Sequence, residues 1–181
     1  ERQCSVGTSL MAIEWQETKL NILDTPGFTD FVGDALSAVR VADTSLIVVD
    51  GTHGPEMGTE NMWNYSHDYH IPRTFVVTGL DKEHSDFHKA FDRIKDSYGN
   101  HVTALQLPVN EGIGFNKIVD IIRKKTLVFK DDSGKYTMED LPDSVVDEVE
   151  TMYTELVEQV AESDEALMEK YFDQGDRKSV V

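Results

Sequence analysis

The chain has 181 residues, 34 of them acidic and 17 basic, for a formal net charge of −17. That length is enough for one domain with a sizeable core, or one domain with an appendage. A single cysteine, Cys4, excludes an internal disulfide framework and suits a reducing compartment, and no apolar run approaches the ~20 residues that a membrane-spanning helix needs.

In chain order, residues 9–15 (SLMAIEW) and 18–24 (TKLNILD) read as two strands, and the two residues between them, Gln16-Glu17, predict a tight hairpin. From Asp30 to Ala42 the apolar residues Phe31, Val32, Ala35, Leu36, Val39 and Ala42 recur at helical spacing. Ser45 to Asp50 is a short continuous apolar run, the pattern of a parallel strand buried on both faces. A Gly- and Pro-bearing loop leads to a helix expected around Thr59–Asp68, then to a second buried strand at Thr74–Thr78. A helix over Asp86–Tyr98 and a third strand over His101–Leu107 follow. Strands alternating with helices predict a parallel, doubly wound sheet.

After Pro108 the pattern changes. Residues 118–130 mix apolar and basic side chains and suit a strand, and Asp131 to Gly134 predict a turn into a short strand at Lys135–Met138. Ser144–Ala161 has the pattern of a long amphipathic helix. Its apolar stripe is Val145, Val149, Met152, Leu156 and Val160, widened by Val146, Tyr153 and Val157. Ser144 and Asp147 approximate a capping box. A further helix is expected over Ser163–Phe172.

Charge is unevenly spread. Residues 131–181 hold 16 acids and 4 bases, against 18 and 13 in the first 130. Phosphates would be repelled from the acidic part, so no direct nucleic-acid binding is expected there. A basic protein partner suits it, as does plain solvation of a charged helical face.

The chemistry concentrates at strand ends. LDTPGF, Leu23–Phe28, puts an acid, a turn and a bare glycine at the carboxyl end of a strand, where open α/β sheets bind ligands. A lone Asp at a strand end, such as Asp24, is usually a helix cap or turn former. In context, Thr25, Pro26 and Gly27 leave backbone N–H groups free at a helix start, a ready anion site. Two strands on, Thr78-Gly-Leu-Asp81 places a second carboxylate at a strand end, able to accept two hydrogen bonds from a ring edge such as guanine's. The six histidines show no clear metal-ligand spacing. His84 and His88 stand four apart without a third ligand, and Cys4 has no evident base to activate it.

The runs ERQCSV, NILDTPGFTDFVGD, LIVVDGTHGPEMGTE, VVTGLDKE and LPDSVV…LMEKYF, in that order over almost the whole chain, resemble bacterial elongation factor G, and most of all its type 2 paralogues. The resemblance implies an α/β fold: an incomplete P-loop GTPase-type doubly wound sheet with an inserted α+β subdomain. Residues 1–105 would be a partial GTP-binding domain and residues 106–181 a partial, acidic inserted subdomain. It implies GTP or GDP and Mg²⁺ as ligands, the ribosome as partner, a cytoplasmic location and a role in protein synthesis. Ser5 stands where the family's first switch has a Thr that ligates Mg²⁺, and Asp24 resembles the acid that holds the same ion. Gly27 resembles the glycine whose N–H meets the γ-phosphate. TGLD, with Thr78 and Asp81, resembles the guanine-reading box NKxD. The helix bearing Glu148, Glu155 and Glu162 resembles a docking surface for the ribosomal stalk protein.

Departures accompany the likeness. Phe28 stands where the family has the His that orients the attacking water, and a phenyl ring cannot hydrogen-bond water. Gly79 stands where the family has a Lys that covers the base. No G-x-x-x-x-G-K-[ST] occurs in the chain; the resemblance places it upstream of Glu1 and a last guanine box after the inserted subdomain. The chain by itself is therefore expected to be inactive and to bind GTP weakly, and an alternative reading is a non-catalytic ribosome- or protein-binding module with a degenerate nucleotide site. The family's strand before the phosphate loop lies between those ending at Asp24 and Asp50. These two are thus expected to pair with each other, to have the gap filled by a second copy, or to be separated by a segment outside this sequence.

Overall fold

Gln16 and Glu17 take φ of 47° and 63°, the left-handed pair that a two-residue hairpin turn needs to match the twist of its strands. They close β1 (Ser9–Trp15) onto β2 (Thr18–Asp24), antiparallel, with Trp15 opposite Thr18 and Ser9 opposite Asp24. The structure, a computed structural model, describes residues 4–131, 133–163 and 168–169. It divides into two compact units, Glu1–Thr78 and Gly79–Val181.

In the first unit the hairpin runs into a single 3-10 turn, Thr29–Phe31, and then α1 (Val32–Val39), which buries Ala35, Ala38 and Val39. The helix is shorter at both ends than the predicted Asp30–Ala42. Beyond it, β3 (Ser45–Asp50) and β4 (Arg73–Thr78) pair in parallel, with Asp50 opposite Thr78, and α2 (Met57–Asp68) connects them. This is the predicted β-α-β unit. Glu56 and Thr59 form a reciprocal capping box at the start of α2, the Glu56 N–H donating to Thr59 Oγ1 at 3.1 Å, which starts the helix two residues before the expected Thr59. Arg73 lays its guanidinium 3.8 Å over the Trp63 ring, which stacks on Phe75 at 5.5 Å, so a cation–π and an aromatic contact tie α2 to β4.

The apolar run of β3 is buried on one face rather than two. Ile47 and Val49 are buried, while Leu46 and Val48 are more than 60% exposed, the strict alternation that a strand's period of two imposes. Among the described residues β1–β2 and β3–β4 form separate two-stranded sheets, so the strands ending at Asp24 and Asp50 do not pair with each other. Every side chain of the hairpin except Leu23 is exposed, so the edge groups of β2 meet solvent and not an apolar core.

The second unit opens with α3 (Phe87–Tyr98), capped by Asp86, whose carboxylate accepts the Lys89 N–H at 2.9 Å. A four-stranded antiparallel sheet follows, in sequence order: β5 (Gln106–Pro108), β6 (Lys117–Asp120), β7 (Lys125–Phe129) and β8 (Tyr136–Glu139). Two expectations are corrected here. The strand predicted over His101–Leu107 reduces to β5, and it is no third strand of a parallel sheet but the edge of this antiparallel one. Pro108, which has no N–H to donate, is tolerated on an edge strand. The 118–130 run is two strands joined by a turn in which Arg123 N–H donates to Asp120 Oδ1 at 3.0 Å and Lys124 takes φ 51°. Lys125 donates to Asp140, and this hydrogen bond, then its charge, holds the Asp140 carboxyl below the usual carboxylate range.

A 3-10 turn, Asp143–Val145, leads into α4 (Val146–Glu162). The capping box expected of Ser144 and Asp147 is not formed. Val145 is the N-cap and makes no side-chain cap, because Ser144 lies inside the 3-10 turn. The buried stripe is Val149, Tyr153, Leu156, Val157 and Ala161, rotated by about one residue from the predicted one; Met152 and Val160 are only half-buried. Polar contacts flank it on both sides: Glu148 to His88 at 3.4 Å, Glu155 to Lys95 at 3.2 Å, Glu150 to Lys124 at 2.6 Å. Exposed pairs of this kind contribute about 0–1 kcal/mol each, whereas each buried Val or Leu contributes about 1.5–3 kcal/mol. Burial therefore holds the helix, and the exposed polar contacts add little. The helix predicted over 163–172 lies largely outside the described residues.

Candidate nucleotide-binding site

One candidate cluster is built at the open end of the hairpin. Asp24 closes β2 opposite Ser9, so the chain before β1 returns to the same end as the turn after β2. That return brings Ser5 to Asp24: the Ser5 hydroxyl donates to Asp24 Oδ2 at 3.2 Å across a separation of 19 residues. The segment is also steadied against α1, where Thr8 Oγ1 donates to the Asp34 carbonyl at 3.4 Å. After Asp24, Pro26 is buried and Gly27 and Phe28 are exposed. A Cβ on Gly27 would meet nothing within 4 Å, so the backbone there is open to close approach. Phe28 heads the 3-10 turn, its carbonyl accepting the Phe31 N–H at 3.0 Å, and its ring is 59% exposed.

A hydroxyl and a carboxylate side by side are hard oxygen donors, the type Mg²⁺ takes. That ion typically uses one or two carboxylates and completes its octahedron with water and phosphate oxygens. Ser5 and Asp24 fit that role. Among the described residues no group of three or more His, Cys, Asp or Glu is gathered for a metal.

A polar knot that the sequence reading missed closes β3. Asp50 Oδ1 accepts the Thr52 N–H at 2.8 Å and also the Thr52 hydroxyl, which in turn lies 2.8 Å from His53 Nδ1. It fixes the loop between β3 and α2. A Cβ on Gly58, at the start of that helix, would stand 3.9 Å from the Gly27 carbonyl, so this helix start lies beside the turn after Asp24. The only sequence signal was an Asx-type D-G-T pattern, which is common in ordinary turns. Thr78 ends β4 with its carbonyl accepting the Gly51 N–H at 2.8 Å.

A separate candidate cluster lies in the second unit. Leu80 is buried, and its carbonyl accepts the Gly112 N–H at 2.7 Å and the Ser85 hydroxyl at 3.0 Å. Gly79 takes φ +71°, and its carbonyl accepts the Lys82 N–H at 3.1 Å. Glu111 accepts the Phe87 N–H at 2.9 Å, so the 109–114 loop holds both Leu80 and the start of α3. Asp81 stands exposed on this braced turn. Thus Ser5 and Asp24 meet within the first unit beside Gly27 and Phe28, Thr78 ends that unit, and Asp81 belongs to the second. Glu148 and Glu155 are each engaged by a base of α3, and Glu162 lies exposed at the end of α4.

An acid and a bare glycine just beyond a strand end, as at Asp24 and Gly27, suit an anionic ligand of an α/β domain. The model of the elongation factor Tu GTP-binding domain matches residues 1–180, and the chain belongs to that family, the translational GTPases. Within it the chain is of the elongation factor G type. A crystal structure of a protein from Thermus thermophilus superposes with a TM-score of 0.86 at 27% identity, covering 94% of this chain. The chain spans 25% of that neighbour's length. A weaker likeness, TM-score 0.48 at 24% identity over 51% of this chain and 21% of the other, is to the translation elongation factor SelB from Methanococcus maripaludis in complex with a GTP analogue. Among the described residues no helix is long and apolar enough to cross a membrane.

Proposed function

We propose that the chain is the nucleotide-binding part of a ribosome-associated, cytoplasmic translational GTPase, closest to elongation factor G type 2, that binds GTP or GDP with Mg²⁺ and acts in protein synthesis. The observation that carries this reading is the Ser5–Asp24 contact at 3.2 Å beside the open backbone of Gly27. Two oxygen donors far apart in sequence meet where an anion can approach bare N–H groups. Ser5 and Asp24 hold Mg²⁺, Thr25, Pro26 and Gly27 line the phosphate side, and Thr78 and Asp81 serve the base. Bound Mg²⁺ neutralises charge on the phosphate oxygens. The nucleotide-binding part extends over residues 1–105 and the inserted acidic subdomain over 106–181, with the four-stranded sheet and α4 as the body of the latter. The intact protein should bind GDP at least tenfold more tightly than ADP, and Asp24→Ala should abolish the Mg²⁺ dependence of that binding. Isothermal titration with both nucleotides, with and without Mg²⁺, checks this; equal affinity for GDP and ADP would reject it.

A second reading, a ribosome- or protein-binding module with a degenerate nucleotide site, is favoured by Phe28 and Gly79, which remove a water-orienting group and a base cover. No selective nucleotide binding in the titration above, together with ribosome pelleting that does not depend on nucleotide, would select it.

The acidic helix supplies the partner. Glu148, Glu155 and Glu162 recur every seven residues along one side of α4, and we assign them to encounter with a basic patch on the ribosomal stalk protein. Charge complementarity of this sort mainly raises association rates and is screened by salt. Because Glu148 and Glu155 already touch His88 and Lys95, Lys substitutions would set like charges against each other within the unit, so Gln is the cleaner change. The triple Gln variant should associate with ribosomes several-fold more slowly at low ionic strength and nearly as fast as the parent at high salt. An association rate that does not change at low salt would leave these acids as a solvated face.

A further inference from the structure

Gly79 leaves room that another side chain fills. Its φ of +71° lies where glycine is favoured. A Cβ on it would stand 3.1 Å from both Cε and Nζ of Lys82 and 3.3 Å from its Cδ. The lysine stem therefore lies across the bare Cα of Gly79, in the volume that a side chain at position 79 would occupy. The two residues bracket Asp81 in one hydrogen-bonded turn, closed by the Lys82 N–H on the Gly79 carbonyl. The turn is anchored from below through buried Leu80, and a Cβ on Gly112 would come 3.9 Å from the Lys82 carbonyl. Asp81 and Lys82 are both exposed, so a carboxylate and a long methylene stem leave the same braced turn on its accessible side.

A carboxylate that accepts paired N–H groups from a planar ring fixes the ring's edge but leaves its faces wet. Discrimination by such hydrogen bonds is strong only where water is kept from competing for them. A cation on a methylene stem is a suitable wall for one face, since it offers both apolar contact and cation–π attraction. We propose that Lys82 covers one face of the purine base whose edge Asp81 reads, from three residues further along the chain than the glycine it crosses. The inference rests on the reading of Asp81 as the base-reading residue. It also accounts for Gly79: any larger residue there would strain the backbone and push the lysine stem aside.

The test uses the intact protein and two probes, GDP and inosine diphosphate, titrated against Lys82→Ala, Lys82→Met and Asp81→Ala, with thermal melts to confirm that the exposed substitutions leave the fold in place. Lys82→Ala should weaken both nucleotides together by about five- to tenfold, the order of a single cation–π or stacking contact, and leave their ratio unchanged, because a wall touches the face and not the edge. Lys82→Met keeps most of the stem and should stay within about threefold of the parent. Asp81→Ala should lower GDP binding far more. If Lys82→Ala binds GDP as the parent does while Asp81→Ala is impaired, the cover is wrong and the site reading stands. If Lys82→Met loses as much as Lys82→Ala, the ammonium acts by charge alone and the cover is again wrong. If Asp81→Ala binds GDP as the parent does, the site reading fails, and this proposal with it.

Discussion

Asp81→Ala in the intact protein is expected to weaken GDP binding by about a hundredfold or more and to erase most of the preference for GDP over ADP. The size follows from what is left behind. A guanine ring brought to this turn would lose the acceptor for its N1–H and N2–H₂ groups, and each donor left unpaired in the complex costs about 1–3 kcal/mol. Sites built to hydrogen-bond a group discriminate against its mismatch by far more than sites built on shape. The turn itself should survive. Asp81 is exposed, and the loop is held by Leu80, Gly112, Ser85 and Glu111 rather than by the Asp81 carboxylate. Loss of affinity with an unchanged melting temperature is therefore the expected pair of results. Competition titrations with GDP and ADP read the first, and a melt reads the second. A variant that keeps its GDP preference would remove Asp81 from the site.

The positions that carry this argument differ in how far the sequence revealed them. Asp24, Gly27 and Asp81 were legible because each sits where a strand pattern stops, and strand ends are where α/β sheets bind ligands. The hairpin was legible from alternation and the two-residue spacing, even though neither Gln16 nor Glu17 is a residue that favours positive φ. The turn between β6 and β7 was not. It is built from Ile121, Ile122, Arg123 and Lys124, with no Gly, Asn or Pro to mark it, and buried Ile121 continues the apolar run on either side. The residues before β5 misled for the opposite reason: Val102, Ala104 and Leu105 are apolar enough for a strand, yet the ladder takes in only Gln106–Pro108. Pattern reports burial, and only pairing decides which apolar segment becomes a strand. The Ser5–Asp24 contact came into view only through the likeness to a known family. The path of Lys82 over Gly79 was beyond sequence reasoning, because it depends on where a flexible side chain lies and not on what it is.

Phe28→His is expected to raise the GTP hydrolysis rate of the intact, ribosome-engaged protein by about 10–100-fold, with nucleotide affinity changed by less than about twofold. A group that orients or deprotonates the attacking water contributes about 10²–10⁴-fold, and a phenyl ring can do neither. The position suits a chemical test because the ring is 59% exposed and lies outside the buried core, while the backbone around it is fixed by the Phe31 N–H on the Phe28 carbonyl. A substitution there should cost little stability, so a change in rate reports chemistry and not unfolding. Phe28→Ala separates the two things a ring can do at this point. If Phe28 merely shields the phosphate side from water, both variants accelerate hydrolysis to a similar degree. If an orienting group is what is missing, only the imidazole does, and the gain falls away as pH drops through the histidine range, because the protonated ring can no longer accept the water's proton. Single-turnover phosphate release between pH 5.5 and 8, with each variant bound to ribosomes, distinguishes these outcomes. A His variant no faster than the parent at any pH would place water activation elsewhere in the site and leave Phe28 without a part in it.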